Sequence, residues 1–398
     1  MNQRSIEERC VIGLVWFSVL VLCASLTLLA AGSPEVDDFA RYWAAGRIHL
    51  AGGDPYSPEE LLREQQQVGL PDDRALMMWN PPWTIPPMLP LARMPYAPAR
   101  LIWLLISFTA IILSADIIWR VYGGSVENRW VAWLLAIFYV PSLATMAVGQ
   151  IDPLILVGIA GFAWAAKVRR WAPAGAALFL TAVKPQLVFL IWLVLVLWAV
   201  RQRCWRVLIG SGALALAASL AVVALNPPVF AHYIRAILTH SPLDWAPPTL
   251  GTALRRSWGM ERQWLQFIPP AVGGVWAVAY WWRFRNTWDW LRHLPGLLLV
   301  SVITTLYSWS YDYIVLMPAA VQIAARIGRS RSPGLGWLSV LLWAAVNTLS
   351  MALRIRQAYD FWQFWMPGTI LVSYLLVEQI VEQRLAGLAA EGNPHTDV

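Results

Sequence analysis

Residues 171–206 read WAPAGAALFLTAVKPQLVFLIWLVLVLWAVRQRCWR, and the way this run divides decides the fold. Taken whole, it is one long apolar helix kinked at Lys184-Pro185. Divided there, it is two short apolar segments, 172–183 and 186–200, meeting at a polar break. Neither half reaches the roughly 20 apolar residues of a spanning helix. Loop charge separates the two readings. With the pair divided, the short basic loops KVRR (167–170), RQRCWR (201–206), RFRNTWDWLR (283–292) and RIGRSR (326–331) all fall on one side. Merged, the last three cross to the other side, against the excess of Lys and Arg in cytoplasmic loops. The divided reading stands, and it places both termini in the cytoplasm.

The chain of 398 residues is 58% hydrophobic and only 13% charged. Soluble domains carry about 25% charged residues, so the expected class is an all-α integral membrane protein. Many of the 26 tryptophans stand near segment ends, as interface anchors do. The net charge of +7 comes almost wholly from arginine, Lys167 and Lys184 being the only lysines. Those arginines lie between apolar segments, which fits loops facing anionic lipid rather than nucleic acid. Cys10, Cys23 and Cys204 form neither a disulfide framework nor a metal spacing.

Residues 10–31 form an apolar run of about 20, long for the 7–15 of a signal-peptide core. A retained first span is expected rather than cleavage near Ala31. Further apolar segments lie near 101–119, 130–148, 151–166, 172–183, 186–200, 207–225, 265–282, 293–306, 313–325, 334–352 and 363–380. The sum is a polytopic bundle of about twelve spans. Its membrane domain is expected to cover 1–384, with a disordered cytoplasmic tail at 385–398. The outer face then carries a first loop at 32–98 and a second long loop at 226–264. It also receives Gln150 and Asp152, the Lys184-Pro185 break with Gln186, the run 308–312, and a turn near Arg354 and Arg356. The unusual polar residues of an apolar chain thus converge on one side.

The first of these strips is VDDFARYWAAGRIHLAGGDPY (36–56). From Asp38 to Ile48 the spacing predicts a short helix with Phe39, Tyr42, Trp43 and Ile48 on its apolar face. Asp37 or Asp38 serves as N-cap, its carboxylate accepting backbone N–H groups. One cap needs one acid, and an acid at the membrane boundary is costly unless paired or used; the second is a candidate for chemistry. Gly52-Gly53-Asp54-Pro55 turns the chain, and Asp54 reads as a turn residue. The proline-rich WNPPWTIPPMLPLARMP (79–95) cannot be a regular helix. It is either a re-entrant element beside the site or a surface loop on lipid headgroups.

Lys184, between two apolar half-helices, needs an anion, and a phosphate suits a point charge with three donors; the plainer reading is a lysine reaching the outer headgroups. Asp152 reads as the cap of the helix that follows it, and Gln150 as a ligand for a hydroxyl or phosphate. Asp312 either caps the next helix or orients a sugar hydroxyl or a cation. Arg255 and Arg256 are loop arginines with a lipid phosphate as an alternative partner. His232 and His240 lack metal-ligand spacing.

These motifs together resemble glycosyltransferase family 87. The opening D-F-x-x-Y-W-A-A (38–45) and L-x-G-G-D-P-Y (50–56) are followed by N-P-P-W (80–83) and P-L-A-R-M-P (90–95). G-Q-I-D-P (149–153), K-P-Q (184–186) and S-Y-D-Y (310–313) with M-P-A (317–319) continue the match in order. The resemblance implies a GT-C architecture whose first extracytoplasmic loop carries an essential aspartate. It further implies inverting α-mannosyl transfer from a polyprenyl-phosphate-mannose donor to a lipid or glycan acceptor at the outer face of the plasma membrane. Asp38 takes the catalytic position and Asp37 is an extra acid beside it. Lys184, with Arg255 and Arg256, is the candidate for the donor phosphate, and Tyr42, Gln150, Gln186 and Asp312 for substrate. No metal or other cofactor is required by the sequence, and no Gly-rich nucleotide loop is present. The rivals are a transporter or flippase for a lipid-linked sugar and a non-catalytic subunit of an envelope complex. Transporters tend to show repeated halves, and none is visible here.

Overall fold

The computed structural model describes residues 37–70, 74–239, 245–330, 332–356 and 359–391, the last five of these by backbone alone. The expected first span at 10–31, His240 and the end of the expected tail lie outside the described residues. Within them the regular structure is all helix, without a strand. The first loop holds helices α1 (Asp38–Leu50), α2 (Pro58–Gln66) and α3 (Leu89–Ala92). Then come α4 (Tyr96–Val121), α5 (Arg129–Ile137), α6 (Val140–Val148), α7 (Pro153–Lys167), α8 (Trp171–Phe179), α9 (Phe189–Gln202) and α10 (Trp205–Leu225). The second half runs through α11 (Val229–Thr239), α12 (Leu250–Trp258), α13 (Ile268–Phe284) and α14 (Trp290–Ile303). It closes with α15 (Met317–Ser330), α16 (Pro333–Ile355) and α17 (Met366–Glu391), the last passing the point where the membrane domain was expected to end.

Among the described residues, four helical stretches are long and apolar enough to cross a membrane: Tyr96–Val121, Trp205–Leu225, Pro333–Ile355 and Asp360–Ala386. A fifth results if α5 and α6, bent by 57°, count as one broken span. The expectation of about twelve spans is met only in kind. The other apolar segments form short helices, and the reason is length: α7 has 15 residues, about 22 Å of helix against a hydrocarbon core of about 30 Å. Prolines at 141, 153, 185 and 269 sit at the starts of helical pieces and Pro295 lies inside one, so the apolar sequence is punctuated.

Breaks in an apolar setting leave backbone groups that need partners, and two breaks here find them in distant side chains. At the α5–α6 bend, the Val140 N–H donates to Oδ1 of fully buried Asn347 at 2.8 Å. In 171–206 the chain runs from α8 through a 3₁₀ turn (Leu180–Val183) to Lys184, then through a second turn (Pro185–Leu187) into α9. The carbonyl of Val183 accepts from Asn80 Nδ2 (2.8 Å), that of Ala182 from Trp83 Nε1 (2.9 Å) and that of Gln186 from Thr305 Oγ1 (2.8 Å). The division at Lys184-Pro185 is therefore real. The same bonds show why 79–95 is irregular: it packs on this break, with Asn80, Thr84, Ile85 and Met88 buried, rather than resting apart as a surface loop.

Close approach of α8 and α10 fixes the frame around the break. A Cβ at Gly175 would run into the carbonyl of Val207, and one at Gly210 into the carbonyl of Ala172. Small residues let apolar helices meet at backbone distance, where packing supplies the attraction that water supplies elsewhere.

Candidate functional site

The site starts from the pair of acids. Asp37 is the N-cap of α1: its carboxylate accepts the Phe39 N–H at 3.1 Å, the Tyr96 hydroxyl, and Nε of Arg100 at 3.2 Å. Asp38 opens the first turn, where a carboxylate also benefits from the helix dipole, and is 2% exposed. With Phe39, Tyr42, Trp43 and Ile48 all packed into the core, the helix cannot roll, and the Asp38 side chain is held inward. One of its oxygens pairs with the Arg41 guanidinium one turn on, the other accepts from Nε2 of Gln150. Of the two acids, the cap is Asp37.

Gln150 is the hub. It follows Gly149, which ends α6 at φ +70°, a conformation that favours glycine; a Cβ there would stand 2.7 Å from that of Phe39. The Gln150 Oε1 accepts from the Tyr42 hydroxyl (2.8 Å), from Lys184 Nζ (2.8 Å) and from the Ile151 N–H (3.2 Å). The amide therefore links base candidate, tyrosine and lysine in one buried network.

Lys184 is enclosed, not open. Its Nζ lies 2.8 Å from Gln150 Oε1, 2.6 Å from Asp312 Oδ1 and 2.9 Å from Asp152 Oδ1, with the Tyr311 ring centroid at 5.2 Å. Three oxygens surround an ammonium that has three donors. Burial works to strip its proton, but the acids at 152 and 312 more than offset that, so its pKa lies above the ordinary lysine value. Asp312 is not the N-cap expected: it stands third in the 3₁₀ turn Ser310–Leu316, where Oδ2 accepts the N–H of the N-cap residue Trp309 at 2.7 Å, while Oδ1 meets the lysine. Asp152 does not do what its position suggests. It stands at the N-cap of α7 without a capping bond, its carboxylate turned to Lys184.

The remaining expected residues stay apart from this network. Gln186 offers its backbone carbonyl to Thr305, and no bond joins its side chain to the cluster among the described residues. Arg255 is buried and donates from Nε (3.1 Å) and Nη2 (2.7 Å) to the Met260 carbonyl. Arg256 lies over the Phe361 ring at 4.1 Å. Asp54 is the turn residue expected, accepting the Tyr56 N–H at 2.9 Å, and His232 Nδ1 approaches it at 3.5 Å.

Arg41 is the member that sequence reasoning overlooked, and Asp152 the one it assigned to a cap. Arg41 was visible in principle, since a cation three residues after an acid shares its helix face. A second buried polar group also escaped it: Ser310 donates to Asp360 through both its N–H (3.0 Å) and its hydroxyl, and Arg354 donates to the Ser310 oxygen. Among the described residues no group of three or more His, Cys, Asp or Glu is arranged to hold a metal ion.

A polytopic helical chain with an acid, an amide and a paired lysine buried at its helix breaks has the make-up of a membrane enzyme. Residues 79–309 match glycosyltransferase family 87, more than half of the chain. The chain belongs to that family, and it is a membrane glycosyltransferase. The matched interval contains Gln150, Asp152 and Lys184, while Asp38 and Asp312 lie outside its two ends. No curated protein and no solved structure matches the chain.

Proposed function

We propose that the protein transfers a sugar, mannose, from a polyprenyl phosphate to an acceptor hydroxyl of a lipid-linked or envelope glycan, with inversion, at the outer face of the plasma membrane. Asp38 is the general base. The observation that carries the assignment is the division of labour between the two acids. Asp37 is occupied by the helix cap and Arg100, whereas Asp38 is buried in the polar network and keeps lone pairs on both oxygens.

In the reaction the acceptor oxygen attacks the anomeric carbon on the face opposite the phosphate. The new C–O bond forms as the bond to the phosphate oxygen breaks. The acceptor proton passes to Asp38, and the electron pair of the broken bond leaves on the polyprenyl phosphate. Base catalysis of this kind contributes roughly 10²–10⁴-fold. Gln150 fixes the carboxylate, and its own carbonyl is fixed by Tyr42 and Lys184, so little reorganisation accompanies the transfer.

The test is transfer by purified protein in detergent from polyprenyl-phosphate-mannose to candidate lipid-linked acceptors. Asp38→Asn is expected to lose about 10²-fold or more, and Asp37→Asn to retain turnover with a lower melting temperature. Undiminished transfer by a folded Asp38→Asn protein would remove Asp38 as the base. Vesicles that move lipid-linked sugar across the bilayer, with no transfer from any polyprenyl donor, would make the protein a flippase instead.

A further inference from the structure

Departure of a polyprenyl phosphate leaves charge on its oxygens, which needs a fixed cation with donors to spare. Lys184, the first cation that the sequence offers, is already committed. It hydrogen-bonds Gln150 and Asp312 and is paired with Asp152 at 2.9 Å. Recruiting it to a phosphate would strip two buried carboxylates of their counter-charge, and an unpaired buried charge is strongly unfavourable. Arg41 is in the opposite condition. Its guanidinium has five N–H donors. One arm pairs with Asp38, Nη1 reaches the Met77 carbonyl only at 3.5 Å, and Nε is buried without an acceptor. The side chain is 13% exposed, so part of it can be reached from outside.

We infer that Arg41 is the phosphate-binding residue of the donor site, Lys184 being a positioning residue that holds Gln150 against Asp38. This rests on the polyprenyl-phosphate donor proposed above. It adds an order to the reaction. While Arg41 pairs with Asp38, the guanidinium draws on the oxygen needed to take the acceptor proton. A phosphate arriving at the guanidinium shares that charge and frees the carboxylate. The base is therefore readied by donor binding, and donor precedes acceptor.

Arg354 is the comparator, because its Nε is also buried without an acceptor. It belongs to the Ser310–Asp360 group and makes no bond to Asp38 among the described residues. The experiment titrates farnesyl phosphate and farnesol, following tryptophan fluorescence, into wild type, Arg41→Gln, Arg41→Lys and Arg354→Gln. Transfer kinetics are measured on the same preparations. Wild type is expected to prefer farnesyl phosphate over farnesol by tenfold or more. Arg41→Gln should lose that preference while binding farnesol unchanged, which certifies its fold; Arg41→Lys should keep part of it, and Arg354→Gln all of it. In transfer, Arg41→Gln should raise the donor KM at least tenfold. The inference is overturned if the preference survives in Arg41→Gln, disappears instead in Arg354→Gln, or is absent from wild type. Transfer that continues in those cases leaves the proposed function standing. Conversely, a phosphate preference that depends on Arg41 in a protein that transfers no sugar would keep this inference and discard the transferase reading.

Discussion

At the scale of single residues, neighbours in sequence have unlike tasks. Asp37 holds a helix and Asp38 faces the network, one residue apart. Loss of the cap alone costs about 1 kcal/mol, so Asp37→Ala should lower the melting temperature measurably, more so because Arg100 loses its carboxylate partner and keeps only the Met146 and Ala147 carbonyls. Lys184→Met should cost about 3–5 kcal/mol, as removal of one partner from a buried pair does. Adding Asp312→Asn to it should restore part of that loss, and a double-mutant cycle on thermal unfolding in detergent reads the coupling. An additive cycle would show that the two do not act as a pair. The candidacy of Asp38 was legible because two acids at a membrane boundary exceed what a cap requires. The role of Gln150 was not. Its bond to Asp38 joins residues 112 apart in the chain, and nothing local in G-Q-I-D-P announces the partner. Asp152 misled for the complementary reason: an acid before a helix-starting proline has a local use, and a distant cation took it instead.

At the scale of helices, close contacts and breaks define what may change. Gly175→Val places a branched side chain where the α10 backbone already lies. Overpacking of this kind costs about 1–3 kcal/mol, with a lower melting temperature expected, whereas Gly212, with open space around it, should accept alanine without loss. The α1 helix also carries a buried imidazole. Burial lowers the pKa of His49 below its ordinary 6.5, so the fold favours the neutral ring. The unfolded chain binds the proton first as pH falls, so this stability is present above pH 6.5 and declines below it. Melting temperature should therefore drop from pH 7 towards pH 5, and His49→Gln should flatten that part of the profile. The break at Lys184-Pro185 was legible from a proline and the placement of arginines. The number of spans was not, because hydropathy records apolar residues without recording where a helix bends, shortens or turns back into the protein.

For the molecule as a whole, the sequence carried the class, since 58% hydrophobic and 13% charged residues grouped into long apolar segments are what a membrane protein requires. The proposed sidedness makes a direct prediction. In cells whose protein has its native cysteines replaced by serine, Gln66→Cys should react with a membrane-impermeant thiol reagent added outside, and Gln202→Cys only after permeabilisation. Both positions are exposed in the fold, so the reverse pattern would invert the topology. Finally, the break at Lys184 bears on the timing of biosynthesis. Asn80 and Trp83 bond to carbonyls 103 and 99 residues further along the chain. While the ribosome is still making that interval, these donors have no native acceptor, and the loop bearing Asp38 lacks both Gln150 and the segment that steadies it. Maturation of the site is therefore a late event, and a nascent chain arrested before Val183 should leave 79–95 open to protease while one released beyond Thr305 is resistant.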